Sequence, residues 1–209
     1  MMDLVLDQME LYSRITLRGR NVTDAEFLRF CAEHEDLRVE SNADGEVELM
    51  PGTGPETGDR NAEIAYQLRA WTKRDLRGAS FDSSTLFVLP SGARRSPDAS
   101  WIAKDRIATI PPEQRGHLWR LCPEFVIELR SPSDRPPELR AKLVEWLANG
   151  TQLGWLIDPD ERSVTIYRAG FRAGEDTPEI LMHPATIEGE GPVLGFSLDL
   201  TEIWAPPRY

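Results

Sequence analysis

The chain has 209 residues, 40% of them apolar and 28% charged. These are values of a globular protein able to bury a core, and the length fits one domain over 1–209 better than two. No apolar run approaches the roughly 20 residues a membrane helix needs. The first ten residues carry acids and no basic region, so they do not read as a signal peptide. Cys31 and Cys122 are the only cysteines and form no CxxC pair, which leaves a zinc site unsupported, allows one disulfide at most, and makes a reducing cytoplasm the expected setting. The net charge of −11 and pI near 4.8 argue against a general polyanion binder. A small catalytic cleft on an acidic protein can still be locally positive or metal-neutralised.

In chain order, 13–19 alternates and predicts a short strand. Thr23 and Glu26 have capping-box spacing, and Phe27, Leu28 and Cys31 follow at helical spacing, predicting a helix over about 23–34. Segments 37–40 and 46–50 flank Asn42-Ala43-Asp44-Gly45, a hairpin signal. A Gly- and Pro-rich loop covers 51–58; lost amide donors at proline and the missing GK[ST] exclude a phosphate loop. Ile64, Leu68 and Trp71 form the apolar stripe of a helix over about 57–77, with Gly78 as its stop. Strands are expected at 80–82, 85–89 and 96–102. Segment 104–121 reads as an insertion with a short helix. Segment 125–129 is a strongly apolar strand. Leu139, Leu143, Trp146 and Leu147 mark a second long helix ended by Asn149-Gly150. A buried strand at 153–157, a turn at Asp158-Pro159-Asp160 and a strand at 163–168 follow, then two or three short strands and a tail. This order fits an α/β (α+β) fold with a central mixed sheet flanked by helices and extra N- and C-terminal strands.

Side chains alternate along a strand. Val126, Glu128 and Arg130 share one face of the apolar strand, and Asp98, Ser100 and Ile102 share one face of the strand before it. An acid at the end of an apolar strand is costly unless paired, hydrogen-bonded or metal-bound. If the two strands are neighbours, Asp98 and Glu128 converge. With a backbone carbonyl such as that of Leu129 they form a hard oxygen site suited to Mg²⁺ or Mn²⁺. The same spacing also fits a buried Glu128–Arg130 or Asp98–arginine ion pair.

Ser96-Pro97-Asp98 followed by Glu128-Leu129-Arg130 resembles the PD-(D/E)XK nuclease signature. In the context of 82–85, 95–101, 122–133 and 154–159, it resembles the Uma2 family (DUF820) of restriction-endonuclease-like proteins, over about 23–204. The resemblance implies a restriction-endonuclease-like sheet, with Asp98 and Glu128 as metal ligands. It also implies that Glu63, on the preceding helix, binds the metal directly or through water; otherwise Glu63 is a solvated helix residue. Arg130 stands where the motif has lysine. Arginine is a poor general base but can stabilise charge on a phosphoryl transition state. Lys142, on the following helix, is the alternative, reaching inward beside Leu139 and Leu143; its other reading is an i,i+4 surface pair with Glu138.

Three functions follow as expectations. The first is a Mg²⁺- or Mn²⁺-dependent endonuclease cutting DNA, its substrate class taken from family analogy. The second is a nuclease fold that no longer cleaves and serves as a binding or assembly module, favoured by the acidic pI and the missing motif lysine. The third is a hydrolase of small phosphate esters. Enzymes of this fold class suggest a homodimer, and no membrane partner is expected. His34, His117 and His183 are scattered, with no shared-metal spacing. Arg69, Lys73 and Arg77 line a helix edge that either meets a DNA backbone or is simply solvated. Trp71, Trp146 and Trp155 are expected in the core.

Overall fold

The structure is a computed structural model describing residues 15–17, 22–35, 37–50 and 52–205. The first ten residues, read above for targeting, lie outside it, as do the ends of the 13–19 strand. What remains of that strand is β1 (Ile15–Leu17). The capping box forms as spaced: the Thr23 hydroxyl accepts the Glu26 N–H, and the Glu26 carboxylate takes the Thr23 N–H at the start of α1 (Asp24–Glu33). β2 (Arg38–Ser41) and β3 (Val47–Met50) make the expected hairpin, tied at its turn by Asn42 and by Gly45 in a left-handed conformation.

α2 (Pro55–Asp75) begins earlier than the loop reading allowed. Proline suits a first helical position because its missing N–H has no intrahelical role there. The helix ends at Leu76, which adopts the left-handed conformation expected of the glycine. Gly78 has a different job as the first residue of β4 (Gly78–Asp82). A Cβ on it would lie 2.2 Å from the Trp101 ring and 2.5 Å from the Ile102 carbonyl. Its missing side chain lets two strands and an indole close up.

β5 (Phe87–Val88), β6 (Arg94–Arg95), β7 (Ala99–Ala103), α3 (Lys104–Ala108), β8 (Phe125–Leu129), α4 (Pro136–Ala148), β9 (Leu153–Asp158) and β10 (Ser163–Arg168) follow. The chain then adds β11 (Glu179–Met182), β12 (Thr186–Glu188), β13 (Ser197–Asp199) and α5 (Thr201–Trp204). The central sheet is six-stranded and mixed, in the order β11-β10-β9-β8-β7-β4. β8 and β9 are parallel and α4 is the crossover between them, as parallel neighbours require. The N-terminal hairpin belongs to a second sheet, β1-β3-β2-β6-β5. The 85–89 prediction therefore shrinks to two residues and joins that second sheet. On its other edge Val88 donates its N–H to the Trp119 carbonyl, and Leu89 donates to the Ala93 carbonyl where the chain turns toward β6.

Each face of the central sheet is covered. α2 lays Ile64, Leu68 and Trp71 against Trp101, Phe125, Ile127 and Trp155. α4 lays Leu139, Leu143 and Trp146 against Ile102, Val126, Leu156 and Tyr167. A smaller cluster of Phe27, Val39 and Leu49 holds α1 to the hairpin. The three tryptophans expected in the core are buried. Cys31 and Cys122 are both free thiols, so the disulfide allowed by the sequence is not formed. Among the described residues no helix is long and apolar enough to cross a membrane.

The close approach at Gly78 gives a direct test. Gly78→Ala should destabilise the protein by roughly 1–3 kcal/mol through overpacking, read as a lower urea midpoint with an unchanged m-value. An unchanged midpoint would show that the Trp101 indole moves aside at no cost.

Candidate functional site

β7 and β8 run antiparallel with Ala99 opposite Ile127 and Ser100 opposite Val126. One step further, the register sets Asp98 opposite Glu128. Directly opposite residues share a face, with Cβ atoms about 4.5–5.5 Å apart. Both carboxylates therefore lie on the α4 side, and both are buried, at 6% and 2% exposure. The register's next step would bring Pro97 opposite Leu129. Proline has no N–H to donate, so β7 cannot pair with the Leu129 carbonyl, and regular pairing ends there. The Leu129 N–H is claimed instead by Asp98 Oδ2 at 2.7 Å.

Buried acids need partners, and each is supplied from a different element. Asp98 Oδ1 accepts Arg38 Nη1 at 3.0 Å, from β2, and Asn61 Nδ2 at 3.5 Å, from α2. Glu128 Oε1 accepts the Trp146 indole N–H at 2.8 Å. Lys142 Nζ lies 3.1 Å from Glu128 Oε1 and 3.2 Å from Oε2. Lys142 and Trp146 reach the sheet together because i,i+4 residues share a helix face. The lysine is one turn from Leu139 and replaces one position of the apolar stripe.

Lys142 has a second carboxylate. Its Nζ donates to Glu40 Oε1 at 3.0 Å and to the Ser96 carbonyl at 3.3 Å. Glu40, on β2, is completely buried. It also accepts the Ser96 N–H at 3.1 Å and Arg95 Nη1 at 3.2 Å. Arg95 in turn holds Glu48 at 2.9 Å and Glu145 at 2.6 Å. Arg38 Nη2 donates to the Ser96 carbonyl, so both sides of the Ser96 peptide are clamped by charge.

Burial would raise the Glu40 carboxyl, but Lys142, Arg38 and Arg95 overcome it and hold the group down at about 2. Glu128 goes the other way. Burial pushes it up most strongly; Lys142 and Arg38 pull it down, the nearby Asp98 and Glu40 carboxylates push it up, and the balance is upward. Burial would lower the Lys142 ammonium, yet Glu128 and Glu40 keep it above its ordinary value, so it stays protonated. In this state Lys142 is a cation and hydrogen-bond donor, not a base.

These groups open into a cleft of about 460 Å³. Arg38, Asp98, Glu128, Leu129 and Lys142 line it, with the N-terminal turn of α2 (Glu56, Thr57, Arg60) on one side and Ser131 to Asp134 on the other. Among the described residues no three of His, Cys, Asp and Glu come together as a metal cage. A Mg²⁺ ion keeps several waters and uses one or two carboxylates plus substrate oxygens. The Asp98–Glu128 pair, with a strand-end carbonyl left without a β7 donor, fits such an ion.

Two expected residues are placed differently. Arg130 does not stand beside Glu128 in the cleft. β8 ends at Leu129, so strand alternation no longer governs the next side chain. Its guanidinium is held by Asp158, the last residue of β9, at 3.1 Å and by Asp160, in the turn that follows, at 3.2 Å. Glu63 does not line the cleft either. It accepts Gln67 Nε2 at 2.9 Å on α2, and that same amide also donates to the Asp199 carbonyl. Asn61, two residues earlier, is the α2 side chain that reaches Asp98. Lys142 does not make the surface pair with Glu138 but is buried. Sequence reasoning missed Glu40, Arg38 and Arg95. Arg38 and Glu40 alternate along a hairpin strand, the ordinary pattern of a solvated face, and nothing local marks that face as covered.

Residues 24–201 match the Uma2 family, described as "Putative restriction endonuclease". The chain belongs to the Uma2 family. It is also similar to a solved structure described as that of "a putative nuclease belonging to DUF820" from Anabaena variabilis ATCC 29413. The two share 21% identity over 88% of this chain and 98% of that one, with a TM-score of 0.68. At that identity the likeness establishes the fold, the mixed sheet with flanking helices described above. No curated protein matches.

The depressed Glu40 carboxyl makes stability depend on acidity. Its folded value of about 2 lies below its ordinary 4.5. Its contribution is fully present above about 4.5 and is lost as pH falls toward 2, because the unfolded chain then binds the proton more readily. Glu40→Gln should be less stable than wild type at neutral pH and lose less stability between pH 4.5 and 2, as followed by urea unfolding across that range. Parallel curves for the two proteins would show that Glu40 is not held ionised.

Proposed function

We propose that this Uma2 protein is a divalent-metal-dependent endonuclease that hydrolyses phosphodiester bonds of DNA. One observation carries the reading: Asp98 and Glu128 face each other at the ends of adjacent strands, inside a cleft, with the Lys142 ammonium on Glu128. Asp98, Glu128 and the Leu129 carbonyl would hold Mg²⁺ or Mn²⁺. A metal there would polarise a phosphoryl oxygen and lower the pKa of an attacking water. Lys142 takes the role of the motif's lysine as a fixed positive charge against the developing phosphoryl negative charge. Arg38 offers a second cation on the cleft wall. Arg130 secures the strand ends through Asp158 and Asp160, and Glu63 supports α2 through Gln67; neither is needed to touch the reacting group.

A second reading, a nuclease fold serving as a binding or assembly module, draws on one fact: Lys142 and Arg38 already match both carboxylates. Metal titration separates the two. Under the nuclease reading, wild type binds Mn²⁺ in a calorimeter and Asp98→Ala does not; equal binding by both would favour the module.

Activity gives the sharper test. With Mg²⁺ or Mn²⁺ present, wild type should nick plasmid DNA. Glu128→Ala and Asp98→Ala should abolish nicking, and Lys142→Met should reduce it by roughly 10²–10³. Arg130→Ala should retain most of it. Cutting that persists in Glu128→Ala would sink the assignment. Binding of long duplex should weaken steeply with salt, whereas hydrolysis of a small phosphodiester with little salt dependence would move the substrate class away from DNA.

A further inference from the structure

We propose that Glu40 is a positioning residue for the metal site: it anchors Lys142, so that the ammonium keeps a buried counter-ion when Glu128 turns to a divalent cation. This rests on the reading that Asp98 and Glu128 hold such a cation.

Lys142 sits almost midway between two carboxylates, 3.0 Å from Glu40 and 3.1 Å from Glu128. It is only 9% exposed. A cation arriving on Glu128 must take oxygens that Lys142 now occupies. Two positive centres on one carboxylate repel each other strongly where little water screens them. Lys142 must then give way, and a buried ammonium with no partner is costly. Without Glu40 the lysine would stay on Glu128 and oppose the metal.

Glu40 is built to accept that load. It is fully buried, and the Ser96 N–H and Arg95 hold it in place. Arg95 is itself braced by Glu48 and Glu145, on β3 and α4. Glu128 is equally prepared to release the lysine, because the Trp146 indole N–H stays on Oε1. The shift asks only that Lys142 lean toward Glu40 and the Ser96 carbonyl, both already within hydrogen-bond reach.

The test is a double-mutant cycle on Glu40→Gln and Lys142→Met, read by Mn²⁺ calorimetry. Glu40→Gln alone should weaken Mn²⁺ binding by about 10- to 100-fold, the usual cost of losing a residue that orients a metal ligand. Lys142→Met should bind Mn²⁺ at least as tightly as wild type, since nothing competes for Glu128. In the Lys142→Met background, Glu40→Gln should have almost no further effect. Equal weakening in both backgrounds would overturn the inference, because Glu40 would then act as a distant charge or a purely structural group. No weakening in Glu40→Gln would overturn it too. If Glu40→Gln does not fold, Glu40→Asp in the same two backgrounds gives the same cycle with a smaller effect. Thermal melting of the four proteins in chelator reads the Glu40–Lys142 contact without metal. Coupled melting with no Mn²⁺ binding by wild type would count against the metal reading alone; Mn²⁺ binding with additive effects would count against Glu40 alone.

Discussion

The ammonium of Lys142 is the point on which the site turns. It is a charge carried into the core by a helix whose neighbouring positions are leucine and tryptophan, and it survives there because two carboxylates meet it. One is on the central sheet and the other on the hairpin sheet. A buried charge left with no partner typically costs about 3–5 kcal/mol, and here two carboxylates stand against that loss. The contact thus ties α4, β8 and β2 into one arrangement. It also explains how an N-terminal hairpin, whose apolar side chains pack against α1, belongs to the site.

Around that lysine the charges alternate. Glu40 lies between Lys142 and Arg95, Arg95 between Glu40, Glu48 and Glu145, and Asp98 between Arg38 and the Leu129 amide. The outcome is unequal: Glu40, met by three cations, is held ionised against its burial, whereas burial wins at Glu128, with Asp98 and Glu40 adding to it against Lys142 and Arg38, and pushes that group toward its protonated form. The same local balance bears on the acidic charge of the chain. Three cations, Arg38, Arg60 and Lys142, line the cleft with four acids, Glu56, Asp98, Glu128 and Asp134. The excess of 35 acids over 24 bases in the whole chain therefore sits mostly elsewhere, and the pI says little about what the cleft can receive.

Much of the fold was legible, for local reasons. Thr23 and Glu26 announced α1 through a capping box that needs only four residues to form. The hairpin turn, the stripe of α2 and the apolar run of β8 are equally local. The errors come where a residue's role depends on what packs against it. Gly78 looked like a helix stop but makes room for Trp101, and Leu76 took the left-handed position instead. The 85–89 segment reads as a strand of five residues, but only Phe87 and Val88 form one, pairing with Arg95 and Arg94. Arg130 followed Glu128 in a strand pattern that had already ended.

By itself the sequence determined which way the two acids beside β7 and on β8 point. Alternation and the family motif put Asp98 and Glu128 on one face, and Pro97 ends the pairing beside them. Only the tertiary structure decided what meets those acids. Lys142 reaches Glu128 because α4 crosses over that face, and it reaches Glu40, 102 residues away, because the hairpin docks above it. Strand and helix periodicity describe a side chain's direction over a few residues. Whether a charged side chain points into water or into another charge depends on the register of distant strands and the docking of one sheet against another, and no local pattern encodes that.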